Sequence, residues 1–229
     1  DGKRFFKLFE ESTFEGSQAA ARKIKKIARR QTKKIQMLLL FLSLNFLVRS
    51  DSDMLSWPNS PLLVLLQCVD PNLLIGQDHQ QRLSGPEHQR MFTPLYFLGD
   101  VAVPSDYSIH VNQLILAKQL VEHGANVNNA LSNLQGMTPL HTACYGGNVT
   151  NLDFVELLLE EGADVNAQDH SVMTPLMYTN QFAPGAAKFL LKWPTTDINI
   201  INARGESILV RARHDVTFFS NKVALLDNP

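Results

Sequence analysis

The sequence predicts an all-α solenoid in which short helix pairs, joined by extended fingers, stack side by side between irregular terminal units. Three observations predict it. The phrase TPL stands at Thr93-Pro94-Leu95, Thr138-Pro139-Leu140 and Thr174-Pro175-Leu176, and returns in worn form as Ser207-Ile208-Leu209. A second phrase stands at Gly124-Ala125-Asn126-Val127-Asn128 and Gly162-Ala163-Asp164-Val165-Asn166, with a degenerate copy at Thr195-Thr196-Asp197-Ile198-Asn199. Both landmarks share one period, since Gly162 to Thr195 and Thr174 to Ser207 are each 33 residues apart. A fixed period of this length marks a repeat architecture, whose units cannot bury their own apolar faces and therefore stack.

Residues 136–166 are the best copy. Thr138 sits where a helix is capped, and Pro139 takes the first helical position, where its missing N–H costs nothing. Leu140, Ala143 and Cys144 form a small apolar stripe that lets the next unit approach. Phe154, Val155, Leu157, Leu158 and Leu159 give a second helix its buried face at helical spacing. Gly162 ends that helix, as a residue that tolerates positive φ. A unit that opens GMTPLH, passes through LLL and closes on GADVN resembles the ankyrin repeat, and the resemblance covers residues 93–207. It implies a non-catalytic module or scaffold for protein–protein interaction. The stretch APGAAKFLLKWPTTDINI further resembles the ankyrin section of ankyrin repeat and MYND domain-containing proteins. This chain has no zinc-finger cysteine spacing, so that likeness would place the finger elsewhere in a longer polypeptide. A chain that starts at Asp rather than Met is expected to be a piece of one.

The predicted organisation is a basic arm over residues 1–36 and about five units over 37–229. The units are a degenerate cap at 37–72, then 93–128, 138–166 and 174–199, and an incomplete unit at 207–229. Thr174 to Thr195 is 21 residues, whereas Thr138 to Gly162 is 24 and Thr93 to Gly124 is 31. The first excess is an insertion near Asn148 to Leu152. The second is a loop over Val101–His110, where Pro104, Ser105 and Asp106 break regular structure. Upstream, Cys68-Val69-Asp70-Pro71-Asn72 reads as the end of a unit after the apolar run LLVLL. A competing register would make Ser60-Pro61-Leu62 a TPL phrase. In the first register IGQDHQQRLSGPEHQRM is a lengthened polar finger. FFSNKVALL, residues 218–226, reads as the outer helix of the last unit.

Charge divides the chain. Residues 1–34 hold eleven Lys/Arg and four Asp/Glu, a net of +7, against ten and eighteen in the remainder, a net of −8. Within the arm Ile24, Ile27, Ala28, Gln31 and Ile35 share one helical face, so Arg22, Lys23, Lys25, Lys26, Arg29, Arg30, Lys33 and Lys34 decorate an amphipathic helix. It runs into MLLLFLSLNFLV, residues 37–48, which is too short to span a bilayer and reads as a capping helix. The arm is expected either to lead solvated into that cap, or to bind calmodulin, an acidic protein or anionic lipid. The latter would make the protein a membrane-surface or calmodulin-responsive regulator. Nucleic acid is not an expected partner, because the body is acidic and no aromatic stacking surface accompanies the basic run. Cys68 and Cys144 lie far apart and read as reduced thiols, which points to a cytoplasmic setting. Nuclear, cytoskeletal or ciliary association remains compatible with the same sequence.

No catalytic constellation is assembled. His141 and Cys144 are three apart on one helix, but no orienting carboxylate or oxyanion donor follows from the sequence. The resemblance implies instead that His141 bonds a neighbouring finger. Gly146-Gly147 lacks the Lys-Ser/Thr of a phosphate loop, and His79 with His88 has no cysteine partners, so neither metal nor cofactor is expected. What varies between the constant phrases is free to read another protein. The resemblance implies a concave surface of finger tips and first helices, here including Gln135, Met137, Gln168, His170, Met173, Arg204 and Glu206 on fingers. Tyr145, Met177, Tyr178 and Gln181 come from inner helices. Another protein is the expected partner, within a larger chain or assembly.

Overall fold

The computed structural model describes residues 7, 18–30, 36, 61–77, 90–100, 107–131, 135–145, 152–179 and 184–213. In chain order these form helices α1 (Gln18–Arg29) and α2 (Pro61–Leu66), strands β1 (Ile75–Gln77) and β2 (Arg90–Phe92), then α3 (Pro94–Asp100), α4 (Tyr107–Glu122), α5 (Pro139–Tyr145) and α6 (Leu152–Glu160). They end with α7 (Pro175–Tyr178), α8 (Pro184–Lys192) and α9 (Ile208–Arg213). Two compact units divide them: residues 1–95 with 106–126, and 96–105 with 127–229.

In the first unit α1 packs on α2. Its Ile24 and Ala28 are fully buried, and Lys25 Nζ donates to Gln67 Oε1 at 2.9 Å. Over residues 18–29 the arm is therefore docked, not a solvated lead-in. The apolar edge that made it amphipathic is the edge that is buried. Residues 31–35 and 37–60, with Lys33, Lys34 and the expected capping helix, lie outside the described residues. The arms of the lengthened finger pair as an antiparallel ladder, with Ile75 opposite Phe92, Gly76 opposite Met91 and Gln77 opposite Arg90. Its middle, residues 78–89, is outside the description, as are the 218–226 segment and residues 146–151. Helix α4 begins at Tyr107 and runs for 16 residues, so the expected loop over Val101–His110 is shorter than the spacing gave it. Once a helix is nucleated, each added residue gains one backbone bond, and the helix extends back into the insertion.

The second unit repeats one packing scheme. Inner helix α5 packs on α7 and α7 on α9, while α6 packs on α8 outside them. Leu140 and Leu176, the third residues of their TPL phrases, are buried, whereas in the worn phrase Ile208 is buried and the third residue, Leu209, is 45% exposed; Phe154, Val155, Leu157, Leu158 and Leu159 are buried too. Their spacing puts these five on the face of α6 that meets its neighbours. Gly99 lies against α5, where an added Cβ would stand 2.4 Å from Thr142 Oγ1.

One asparagine at the close of each end phrase ties it to the next end phrase. Asn128 donates to Gly162 O at 2.9 Å and accepts from Asp164 N at 2.7 Å. Asn166 treats Thr195 O and Asp197 N identically, at 2.7 and 2.8 Å. In the first unit Asn72 makes the same two bonds, to Gly124 O at 2.9 Å and from Asn126 N at 2.7 Å. Asp70-Pro71-Asn72 thus makes the same pair of bonds as the end phrases at Asn128 and Asn166.

Candidate functional site

Two fingers of the second unit are built alike. Asp169 N donates to Met173 O at 3.0 Å and Val172 N to Asp169 O at 2.9 Å. The Asp169 Oδ1 accepts from Ser171 N and Met173 N, both at 2.8 Å. In the next finger Asn202 N donates to Glu206 O at 3.0 Å and Gly205 N to Asn202 O at 2.9 Å. Asn202 Oδ1 accepts from Arg204 N at 2.9 Å and Glu206 N at 3.0 Å. Each is a three-residue loop closed by a residue in the left-handed region, a position that favours glycine. Gly205 fills it at φ 78° in one finger, but Val172 fills it at φ 60° in the other. The preceding finger closes from Leu131 N to Met137 O at 3.2 Å. Its tip has Gln135 at φ 60° and Gly136 at φ 75°. Tip binds tip: His170 N donates to Gln135 O at 2.7 Å and Ala203 N to Ser171 O at 2.9 Å.

Below the fingers, His141 is buried and clamped. Thr138 N–H donates to its Nδ1 at 3.1 Å, so Nδ1 carries no proton and also accepts from the Thr138 hydroxyl at 2.8 Å. Its Nε2–H then donates to Met173 O at 3.0 Å, on the following finger. Thr138 was expected to cap a helix; its hydroxyl serves this imidazole instead. Burial lowers the His141 pKa, outweighing the Met173 carbonyl and the carboxylates of Asp169 and Asp164, and keeps the ring neutral. Burial likewise pushes the Cys144 thiol upward, away from the thiolate a nucleophile needs. Neither residue is arranged for chemistry.

An aromatic corner lies beside this clamp. Tyr178 sits edge-on to His141 at 5.6 Å and to Tyr145 at 5.7 Å, with an interplanar angle of 88° for the tyrosine pair. The Tyr178 hydroxyl donates to Asp169 Oδ2 at 2.5 Å. Burial and that carboxylate raise its pKa, so it remains a donor. Tyr145 is 57% exposed.

The residues expected on the contact surface therefore divide. Gln135, Tyr145, Gln168, His170 and Arg204 are exposed, and Met137, Tyr178 and Glu206 are half-buried. Met173 and Met177 are not surface residues, with exposures of 9% and 4%. The Met173 sulfur lies 3.4 Å from Asn202 Nδ2, and Met177 is a buried residue of a four-residue helix. Gln181 lies outside the described residues. Glu206 is held by Asn202 Nδ2 at 3.1 Å and Arg211 at 3.4 Å, and the Asn202 bond is the main reason its pKa is lowered. The tie asparagines and the Val172 conformation were missed by reading the sequence. Their signals were present, in the terminal Asn of each end phrase and in VMTPL standing where GMTPL does.

Of the arm, Arg22, Lys23, Lys26, Arg29 and Arg30 are exposed and Lys25 is half-buried. Among the described residues no group of three or more His, Cys, Asp or Glu could hold a metal ion. No helix among them is long and apolar enough to cross a membrane.

The model of the family described as ankyrin repeats matches residues 107–202, in three copies. An ankyrin repeat protein of Acanthamoeba polyphaga mimivirus is 30% identical over 126 residues, covering 53% of this chain and 78% of that protein. An ankyrin repeat protein of Fowlpox virus is 37% identical over 75 residues, covering 33% of this chain and 37% of its own length. Potassium channel AKT3 of Oryza sativa subsp. japonica is 37% identical over 83 residues, which are 36% of this chain and only 9% of the channel.

Proposed function

Because the chain belongs to the ankyrin-repeat family, whose members generally bind other proteins and are typically non-catalytic, we propose that it is a non-catalytic cytoplasmic scaffold that binds a protein partner through its finger tips and inner helices. The observation that supports this best is the Tyr145–Tyr178 corner. A tyrosine that is 57% exposed stands edge-on to a second, which is itself anchored on buried Asp169. Rigid aromatic side chains with a polar end are favoured interface residues. Gln135, Gln168, His170 and Arg204 supply unlike polar groups on successive fingers, two of which share one loop design, so the constant phrases hold and the variable residues read.

The basic arm gives less support to the regulator reading. A calmodulin-type groove or a bilayer takes up the apolar face of an amphipathic helix, and Ile24 and Ala28 on that face are already buried, in a helix that packs on α2. Its exposed basic side remains available for an acidic surface.

The test is a crosslinking pull-down from native extract with the whole chain as bait, using chemistry that reaches lysine, tyrosine and carboxylate groups. It is run beside Tyr145→Ala and Arg204→Glu variants whose melting is checked first. Crosslinks should gather on the fingers and inner helices, and capture should fall in both variants at unchanged melting temperature. Links confined to residues 22–30, with capture unaffected by either variant, would reject the finger face.

A further inference from the structure

Two helices carry charged strips of opposite sign and matched spacing. On α1, Arg22, Lys26 and Arg29 are exposed, and from the C-terminal end they fall at intervals of three and then four residues. On α6, Asp153, Glu156 and Glu160 are exposed and, from the N-terminal end, fall at three and then four. At 1.5 Å per residue each strip is about 10 Å long. The other face of each helix is occupied, by Ile24 and Ala28 on α1 and by Phe154, Val155 and Leu158 on α6. Neither strip is in an ion pair among the described residues, where the pair seen joins Arg211 and Glu206 at 3.4 Å.

We propose that the α1 strip of one copy of this chain docks antiparallel on the α6 strip of a second copy. Antiparallel alignment sets Arg29 against Asp153, Lys26 against Glu156 and Arg22 against Glu160. It also brings the negative end of one helix dipole beside the positive end of the other. A second copy is favoured over another acidic protein because this chain itself carries the complementary strip at the same spacing. Its formal charge of −1 gives copies little net repulsion. The pairing joins the first unit of one copy to the second unit of another, and it uses neither the finger tips nor Tyr145. Exposed ion pairs contribute only a few-fold each, so the association is weak and salt-dependent.

Sedimentation velocity of the whole chain tests this at about 0.01 M salt, where the screening length is roughly 30 Å, and at about 1 M, where it is roughly 3 Å. Concentration-dependent association is expected at low salt and should vanish at high salt. Two charge-reversal triples, R22E with K26E and R29E, and D153K with E156K and E160K, should each weaken self-association by at least roughly tenfold. An equimolar mixture of the two triples should associate again, as should one chain carrying both. A wild-type monomer at low salt overturns the proposal, and this result needs no variant to fold. Association that survives in either triple, or a mixture that stays monomeric, overturns it too. Binding of the wild-type monomer to anionic vesicles at low salt would assign the basic strip to lipid instead.

Discussion

Replacing Val172 with glycine should stabilise the second unit. Val172 closes a three-residue finger loop at φ 60°, where the equivalent residue of the following finger is Gly205 at φ 78°. An L-residue in the left-handed region costs about 1–2 kcal/mol, and a β-branched one lies at the upper end. Against this, glycine gives the unfolded chain more freedom, which costs about 0.5–1 kcal/mol, and the half-buried valine methyls lose some contact. Taking about 2 kcal/mol for the valine, the backbone terms leave about 1–1.5 kcal/mol, which the lost valine contact reduces to roughly 0.5–1 kcal/mol. For a chain of this size that corresponds to a rise in Tm of about 1–4 °C. Urea unfolding followed by circular dichroism should show the midpoint rising with the slope unchanged. Removing the glycine of the following finger is the control. A Cβ at Gly205 would meet nothing within 4 Å, so Gly205→Ala carries the conformational penalty without a clash and should lower the midpoint. If Val172→Gly leaves stability unchanged or reduces it, side-chain packing at Val172 outweighs backbone strain and the reasoning fails. If it stabilises the chain but weakens partner capture, the strained valine is a contact residue, which is where strain tends to be retained.

Two further outcomes are expected. Gly99→Ala forces a Cβ to within 2.4 Å of Thr142 Oγ1 and 3.1 Å of the Pro139 carbonyl; it should cost about 1–3 kcal/mol in thermal or urea melting, as overpacking does, and removing the hydroxyl with Thr142→Ala should recover part of that loss. His141 should make stability fall with acidity: its folded pKa lies below the unfolded value of 6.5, so the unfolded chain binds the extra proton first. The melting temperature should therefore hold above about pH 6.5 and decline below it, and His141→Gln should remove that part of the slope.

The repeat was legible because TPL and the end phrase encode local geometry. Proline at a first helical turn and glycine after a last one fix backbone angles whatever surrounds them. The helices at Pro139–Tyr145 and Leu152–Glu160 accordingly lie where the sequence places them. The docking of α1 was half legible. Ile24 and Ala28 mark a buried edge by spacing alone, but nothing in either segment names the run PLLVLL, more than thirty residues on, as a helix that α1 packs on. Pairing between distant helices is a property of the packed chain and not of the periodicity of either one.

The contact face was less legible for a related reason. Periodicity assigns a side chain to a face only over several turns, and α7 has four residues, Pro175 to Tyr178. On so short a helix Met177 and Tyr178 read alike, yet Met177 packs inward while the Tyr178 hydroxyl reaches Asp169. Finger residues follow a different rule, since in a closed hairpin the two residues that bracket the loop share an environment. Asp169 and Met173 bracket the middle loop through the 3.0 Å bond from Asp169 N to Met173 O, and both are buried. An Asx turn at Asp169, legible in the sequence, places its side chain on the backbone N–H groups of Ser171 and Met173 and draws Met173 to the closed end of the loop. In the middle finger the loop residues His170 and Ser171 are thus the exposed ones, and the brackets Asp169 and Met173 hold the loop closed.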